Sequence, residues 1–122
     1  MPTSCLIVDD QRSFLRAAKS VLEADGLDVV GVADSVDEAI RLAAELRPDV
    51  VLVDIDLADE SGLELASRLA TGADAIDVVL ISTHGEEDFA ELIEASPAIG
   101  FLPKTELSAG AVNALVQRAG SA

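Results

Sequence analysis

Aromatic residues and cysteine are scarce in this sequence. Its 122 residues include three Phe and neither Tyr nor Trp, yet half of them are hydrophobic, so a core has to be built from aliphatic side chains and alanine. A single cysteine, Cys5, excludes an intramolecular disulfide, and one Cys with one His excludes a zinc site of the usual ligands. Cys5 opens an apolar run and is predicted to be a buried small hydrophobe.

Positive charge and long apolar runs are also scarce. Eight basic residues face 23 acidic ones, which gives a formal net charge of −15. This balance argues against direct binding of nucleic acid or of an anionic membrane, because phosphate groups require clustered Lys and Arg. No apolar run approaches the ~20 residues that span a bilayer. Acids follow the N-terminus too early for a signal peptide, so we expect a cytoplasmic protein.

The sequence does contain a regular alternation of short β-branched runs and segments with helical periodicity. Two of the runs, VVLVD and VVLIS, are almost continuously apolar, as expected for parallel strands covered by helices on both faces. The five predicted strands span residues 5–8, 28–33, 49–54, 77–82 and 98–102. Five βα units with right-handed crossovers predict an α/β fold, a doubly wound (βα)5 five-stranded parallel sheet in the order 2-1-3-4-5, flavodoxin-like.

Helix signals support this alternation. Capping boxes are predicted at Ser35–Glu38, Ser61–Glu64 and Thr83–Glu86, and Ser108 is a candidate cap for the fifth helix. Gly26 is predicted to end the first helix. The predicted inward-facing stripes are Phe14, Ala18, Val21 and Leu22 in the first helix, Phe89, Leu92 and Ile93 in the fourth, and Val112, Leu115 and Val116 in the fifth. We expect one domain over residues 1–122.

Polar residues stand where four of the predicted strands end. Asp9 and Asp10 follow the first strand, Asp54 ends the third, Ser82 ends the fourth and Lys104 follows the fifth. Ligands of open α/β sheets bind beyond the carboxyl ends of the strands, so we expect these side chains to converge on one patch.

Three carboxylates close together need a counter-charge. Two unit charges ~4 Å apart repel by about 4 kcal/mol at an effective dielectric near 20. Ligands that are all oxygen favour Mg²⁺, which accepts one or two carboxylates together with phosphate oxygens. A carboxylate beside a cation, a lysine and a hydroxyl can accept a phosphoryl group by in-line attack.

The five polar residues at the strand ends are Asp9, Asp10, Asp54, Ser82 and Lys104. In their order and spacing, the sequence resembles response-regulator receiver domains of two-component signalling. The resemblance covers residues 6 to about 119. It implies that Asp54 is the phosphoacceptor, and that Asp9, Asp10, Asp54 and the backbone carbonyl of Asp56 hold Mg²⁺, for which Mn²⁺ can substitute. It further implies roles for smaller groups: phosphoryl binding by Ser82, Thr83 and Lys104, a conformational switch at Ser82 and Phe101, and modulation of dephosphorylation by Asp56 and His84.

By the same resemblance, the phosphodonor is a histidine kinase or a histidine phosphotransfer protein, and the output is control of an unknown downstream protein. Such a receiver is not an enzyme, since it assists only its own phosphorylation and dephosphorylation. The family often has Pro where Ala58 stands, and its lysine is often followed by Pro, whereas here Pro103 precedes Lys104. No output domain is recognised in the chain.

Other interpretations stay open. A receiver-like module could bind partners without phosphorylation. The sequence Asp54-Ile-Asp56 resembles the Asp-x-Asp motif of haloacid-dehalogenase-type phosphatases, although there the motif follows the first strand. A nucleotide-binding domain is disfavoured because no glycine loop follows the first strand. Individually, Phe101 could be a core aromatic, and His84 a surface or capping imidazole.

Two charged surfaces bear on partners. Arg12, Arg16 and Lys19 recur along one side of the first helix, and this stripe is either a solvated face or the docking site of the phosphodonor. The predicted fourth helix carries only acids, namely Glu86, Glu87, Asp88, Glu91 and Glu94. Acids would meet acids in a two-fold contact through that helix, so we expect a monomer or a weak homodimer.

Overall fold

The computed structural model describes residues 3–57, 60–71, 75–83 and 90–120. Five strands alternate with five helices along the chain. The strands are β1 (Ser4–Val8), β2 (Asp28–Ala33), β3 (Val50–Asp54), β4 (Asp77–Ser82) and β5 (Gly100–Pro103). The helices are α1 (Arg12–Ala24), α2 (Val36–Leu46), α3 (Gly62–Ala70), α4 (Ala90–Ala95) and α5 (Ala109–Gly120).

The strands form one parallel sheet in the order β2-β1-β3-β4-β5. The predicted (βα)5 architecture and strand order are therefore confirmed. The structure adds a small antiparallel ribbon, Asp56–Leu57 paired with Glu60–Ser61, that the sequence patterns did not predict. Its four residues are too few to show any alternation of polar and apolar side chains.

Alternate residues of the central strands pack into two separate aliphatic cores, one on each face of the sheet. In β3, Val51 and Val53 face the core covered by α2 and α3, whereas Val50 and Leu52 face the core covered by α1 and α5. All five residues of β3 are buried, which explains its unbroken apolar run. The sheet thus lies between two helical layers, and its strand ends are where polar side chains gather.

Three of the predicted caps are present. The Ser35 and Ser61 hydroxyls accept hydrogen bonds from the backbone N–H groups of Glu38 and Glu64, at 3.3 and 3.1 Å. Ser108 accepts from Ala111 at 3.1 Å in the same way. Gly26, at φ +98°, follows α1 as expected, because a residue in the left-handed region terminates a helix. The third predicted capping box begins at Thr83 but ends outside the described residues.

Two predicted inward-facing residues are in fact exposed. Val21 is 51% exposed, and the buried residues of α1 are Leu15, Ala18 and Leu22. These lie at i, i+3 and i+7 and therefore share one face, from which Val21 is displaced. Leu92 is 53% exposed on α4, where Ile93 alone of the predicted stripe packs against the core within the described residues. The third member, Phe89, lies outside them. The stripe of α5 is as predicted, with Val112 fully buried.

The amino ends of the strands are joined by paired polar groups. The Ser4 backbone N–H donates to Asp49 Oδ2 at 2.9 Å, and the Asp49 N–H donates to Ser4 Oγ at 2.8 Å. The Thr3 hydroxyl donates to Asn113 Oδ1 at 2.9 Å, which ties the chain before β1 to α5. Each donor here meets an acceptor, so this end of the sheet is held by satisfied local contacts.

Cys5 lies in β1 with no exposed surface, and burial raises the pKa of its thiol to about 12. The prediction of a buried, unreactive thiol is consistent with this position. Among the helices within the described ranges, none combines the length and the apolarity needed to cross a bilayer.

Candidate functional site

The turn after β1 orients the first carboxylate. The Asp9 backbone N–H continues the β1–β2 ladder by donating to the Ala33 carbonyl at 3.0 Å. Its side chain turns inward and is fully buried, with Oδ1 accepting from the Gln11 N–H at 2.8 Å. Asp10 is more exposed than Asp9. The loop between β1 and α1 therefore fixes one buried carboxylate and places a second at the rim.

Asp54 ends β3 and supplies the second buried carboxylate. Only 4% of its surface is exposed, and its Oδ1 accepts a hydrogen bond from the Asp56 N–H at 3.0 Å. The Ile55 N–H donates to the Ile81 carbonyl at 3.0 Å, which keeps the chain beyond Asp54 against β4. Both backbone contacts fix the direction in which the remaining oxygen, Oδ2, points.

Gly62 allows α3 to begin against this segment. A Cβ at position 62 would lie 1.8 Å from the Asp54 carbonyl oxygen, a distance that no side chain can tolerate. The Gly62 N–H also donates to the Ile55 carbonyl at 3.2 Å. The glycine at the start of α3 thus has a local steric reason.

Lys104 lies between the two buried carboxylates. It opens a short 3-10 turn, Lys104–Glu106, directly after β5. Its ammonium is 2.5 Å from Asp9 Oδ2 and 3.3 Å from Asp54 Oδ2, and its side chain is only 8% exposed. The ammonium also lies over the ring of Phe14, 4.4 Å from the centroid. The one buried ammonium of Lys104 therefore forms ion pairs with two buried carboxylates.

The pKa of Asp54 is raised above its usual value of 3.8, chiefly because burial penalises the charged carboxylate. The hydrogen bond from the Asp56 N–H acts in the opposite direction. Nearby charges also oppose each other, since Asp9 raises the pKa and Lys104 lowers it. Any added cation would favour the ionised, nucleophilic form of this carboxylate.

The other predicted site residues lie around this centre. Ser82 is fully buried at the end of β4, and Thr83 follows it in an exposed position. Phe101 is half-buried in β5, opposite Leu80, and packs against the core that α2 and α3 cover. The Asp56 side chain is exposed beside the site. His84 lies outside the described residues, so its predicted role stays a prediction, and Ala58 lies outside them too.

The acidic residues fit a hard divalent cation. One oxygen from each of Asp9, Asp10 and Asp54 lies within 4.8 Å of the others. Asp9 Oδ2 is buried and forms an ion pair with Lys104, but among the described residues it accepts no hydrogen bond of good geometry. An acceptor of this kind, in an all-oxygen group, suits Mg²⁺ better than a transition metal.

Sequence patterns missed the contact between Phe14 and Lys104. Phe14 was assigned to the inward-facing stripe of α1, which accounts for its apolar character but conceals its proximity to an ammonium. The two residues are 90 positions apart, and their contact depends on the side-by-side placement of α1 and the turn after β5. No local signal reports such a contact.

Comparison with known families defines the class of protein. Residues 5–116 match the profile of the response regulator receiver domain. Because this match covers most of the chain, the fold and the site together identify a receiver domain: the chain belongs to the response-regulator receiver family of two-component signalling. Proteins of this family generally bind Mg²⁺ in an acidic pocket and carry the phosphoryl group on aspartate, features for which the buried carboxylates are suited.

Individual relatives agree with this assignment. The response regulator GacA of Pseudomonas viridiflava is 36% identical over 100 residues, which cover 81% of this chain and 47% of that protein. The chain therefore spans about half the length of such curated relatives. Protein-glutamate methylesterase/protein-glutamine glutaminase 5 of Myxococcus xanthus is 40% identical over 87 residues, covering 70% of this chain and 25% of that protein.

Solved structures give the same fold. The signal receiver domain of the response regulator NarL from Mycobacterium tuberculosis superposes with a TM-score of 0.83 at 27% identity, covering 95% of this chain and 97% of that one. A receiver domain of a modulated diguanylate cyclase from Desulfovibrio desulfuricans has a TM-score of 0.80 at 32% identity, with coverages of 97% and 93%.

Proposed function

We propose that this receiver accepts a phosphoryl group on Asp54 and changes conformation as a result. One observation carries the proposal: the Lys104 ammonium lies 3.3 Å from Asp54 Oδ2 in a pocket that also contains Asp9 and, at its rim, Asp10. A nucleophilic carboxylate beside a fixed cation is what in-line phosphoryl transfer requires.

In the proposed reaction, an Asp54 oxygen attacks the phosphorus of a phosphohistidine or of a small acyl phosphate. The new O–P bond forms as the bond to the leaving group breaks, and the electron pair departs with the imidazole nitrogen or with the carboxylate of the donor. Lys104, Ser82 and Thr83 bind the phosphoryl oxygens. Mg²⁺ or Mn²⁺, held by Asp9, Asp10, Asp54 and the Asp56 carbonyl, would add positive charge to the transferring oxygens.

Phosphorylation changes the charge of the pocket. A phosphoryl group contributes about −1.5 to −2 charges and three strong acceptor oxygens. We expect Ser82 and Lys104 to follow these oxygens, and Phe101, half-buried in the neighbouring strand, to repack with them. The exposed Asp56 side chain and His84 are proposed to modulate hydrolysis of the acyl phosphate.

The proposal is tested by intact mass after incubation with acetyl phosphate and Mg²⁺. We expect one phosphoryl mass on the parent protein and none on Asp54→Asn, which keeps the shape but lacks the nucleophilic oxygen. Asp77→Asn is a matched control, because Asp77 begins β4 at the opposite end of the sheet. It should be phosphorylated like the parent.

Three results would overturn the assignment. They are labelling of Asp54→Asn, unchanged labelling in EDTA, and an unlabelled parent, which would favour the receiver-like module that works without phosphorylation. Catalytic turnover of p-nitrophenyl phosphate would instead favour the phosphatase interpretation. We propose that the chain is not an enzyme in that sense and expect no turnover beyond loss of its own phosphoryl group.

The phosphodonor is proposed to be a histidine kinase or a histidine phosphotransfer protein that contacts α1. Arg12, Arg16 and Lys19 line a cleft of about 400 Å³ between α1 and the β2 side of the sheet. They are three of the eight bases in the chain. Replacing all three with Gln should slow transfer from a donor protein about tenfold and spare acetyl phosphate. Equal rates from the donor protein would leave the stripe as a solvated face.

We propose that the receiver acts in the cytoplasm as a monomer or weak homodimer that controls a downstream protein. Along the sequence no Lys or Arg occurs between Arg68 and Lys104, so a two-fold contact through α4 would oppose acids with acids. Light scattering with and without beryllofluoride tests this. A dimer that forms with beryllofluoride and is disrupted by Glu91→Arg would contradict it.

A further inference from the structure

We propose that Phe14 is a positioning residue that holds the Lys104 ammonium at the phosphorylation site. The inference rests on the proposed function of Asp54 and Lys104. It assigns to an apolar residue of α1 a part in phosphoryl transfer that its place in the hydrophobic stripe does not suggest.

Among the described residues, two carboxylates and one aromatic ring lie close to the Lys104 ammonium. Asp9 Oδ2 lies at 2.5 Å and Asp54 Oδ2 at 3.3 Å, and the Phe14 ring centroid lies at 4.4 Å. The lysine side chain is 8% exposed, so water contributes little to its solvation. The face of an aromatic ring attracts a cation, and this attraction grows when the cation is removed from water.

Phe14 and Asp9 reach the lysine from the same short segment. The Asp9 carboxylate accepts a hydrogen bond from the Gln11 N–H, and α1 begins at the next residue, so Phe14 lies in its first turn. A hydrogen-bonded loop thus fixes both the carboxylate and the ring. Movement of the Phe14 ring relative to Asp9 is limited because both are anchored by the same turn.

Of the groups near Lys104, the Phe14 ring is the one that would not also bind the proposed cation. Asp9 and Asp54 are candidate metal ligands, and Asp54 is also the group to be phosphorylated. When these carboxylates take up a cation, the ammonium loses part of their negative charge, and phosphorylation of Asp54 replaces a carboxylate oxygen beside it with phosphoryl oxygens. The Phe14 ring takes no part in either event, so it retains the ammonium near the position that a phosphoryl oxygen would occupy.

The surroundings of Phe14 provide a matched control. Phe14, Val21, Leu107 and Lys104 line one cleft of about 170 Å³ between α1 and the turn after β5. Val21 is 51% exposed and has no aromatic ring to offer to the ammonium. Val21→Ala therefore alters the same cleft without removing an aromatic face.

The first test compares rates of phosphorylation by acetyl phosphate. Phe14→Leu keeps an apolar side chain but removes the ring, and we expect it to be about three- to tenfold slower than the parent. Phe14→Tyr keeps the ring and should stay within about twofold of the parent, as should Val21→Ala. Rescue by tyrosine but not by leucine separates cation binding from simple packing.

A double-mutant cycle with Lys104→Gln tests whether Phe14 acts through the lysine. If it does, Phe14→Leu should add no further slowing in the Lys104→Gln background, because the interaction is already gone. Slowing by the same factor in both backgrounds would show that Phe14 acts by another route and would overturn the inference.

A spectroscopic test does not depend on activity. The chain has two lysines, Lys104 and the half-exposed Lys19, so protein with labelled lysine gives two sets of ε-methylene NMR signals. A ring beneath the ammonium should shift the Lys104 signals upfield of those of Lys19, and Phe14→Leu should abolish this shift.

Failures of the two proposals are distinguishable. If the parent is not phosphorylated, the proposed function fails, whereas the ring-current shift still tests the contact. If the parent is phosphorylated and Phe14→Leu matches it, or Phe14→Tyr is as slow as Phe14→Leu, the positioning role is wrong. Absence of an upfield shift in the parent also overturns it, even when Phe14→Leu fails to fold.

Discussion

The two ends of the sheet pair their polar groups differently. At the amino ends, Ser4 and Asp49 are joined by hydrogen bonds in both directions near the surface, so donors and acceptors are matched locally. At the carboxyl ends, Asp9 and Asp54 are buried with one ammonium, that of Lys104, between them. The first arrangement is complete in itself, whereas the second holds more negative than positive charge.

The amino ends of the strands are therefore suited to stabilising the fold, whereas the carboxyl ends are suited to chemistry. Charges removed from water are costly unless they are fully paired, and one cation cannot fully pair two carboxylates. The excess of negative charge at the carboxyl ends favours binding of a divalent cation there.

Close packing at the carboxyl end should make Gly62→Ala the most damaging change. A Cβ there would collide with the Asp54 carbonyl oxygen at 1.8 Å, so we expect a loss of about 3 kcal/mol in the free energy of unfolding. Gly110→Ala in α5 is the control, since nothing lies within 4 Å of its Cβ, and it should stabilise by about 0.5 kcal/mol. Urea titration measures both. A cost below about 1 kcal/mol for Gly62→Ala would show that the loop after β3 yields easily.

Mg²⁺ should stabilise the protein only through the carboxyl end. At ten times its dissociation constant, binding to the folded state adds about 1.4 kcal/mol to the parent. Asp9→Asn should lose most of this gain, because Asp9 belongs to the three-carboxylate group. Asp77→Asn, at the amino end of β4, should keep it. Thermal melting with Mg²⁺ and with EDTA gives the comparison, and equal gains in all three proteins would place the binding site elsewhere.

In EDTA, removal of one carboxylate should change the free energy of unfolding in opposite directions at the two ends of the sheet. The raised pKa of Asp54 means that its stabilising contribution is present below pH 3.8 and is lost as the pH rises through the folded-state pKa. At neutral pH the ionised Asp54 therefore destabilises the fold, and Asp54→Asn should add about 1 kcal/mol. This gain should vanish below pH 3.8.

At the amino end, Asp49→Ala removes the acceptor of the Ser4 N–H and should cost about 0.5 to 1 kcal/mol. Melting curves at several pH values compare the two variants. A loss of stability from both at neutral pH would mean that Asp54 is as well compensated as Asp49, and the contrast between the ends would disappear.

Much of this structure was predictable from local patterns. The apolar runs predicted the strands of the sheet, because β1, β3 and β4 are buried on both faces and therefore contain few polar residues. The serine caps were predictable because the accepting hydroxyl and the N–H that donates to it lie three residues apart. Convergence of Asp9, Asp54 and Lys104 followed from strand order alone, since parallel strands end at one edge.

Other features depend on distances that no local pattern encodes. Val21 is exposed because Leu15, Ala18 and Leu22 define a buried face of α1 from which it is displaced, and its apolar character does not reveal that displacement. The Phe14–Lys104 contact joins two elements far apart in the sequence. The single Lys104 ammonium was expected at the site, but the sequence did not indicate that it would pair with Asp9 as well as Asp54.

The position of Cys5 gives the chain an internal reporter of unfolding. Its thiol has no exposed surface, and burial raises its pKa to about 12, so reagents for thiolates should react with it only when β1 opens. A cysteine introduced at an exposed position such as Leu92 could then carry a fluorescent dye without removal of Cys5. In such a molecule the dye would report movement of α4. Slow modification of Cys5 would report how often β1 separates from the rest of the sheet.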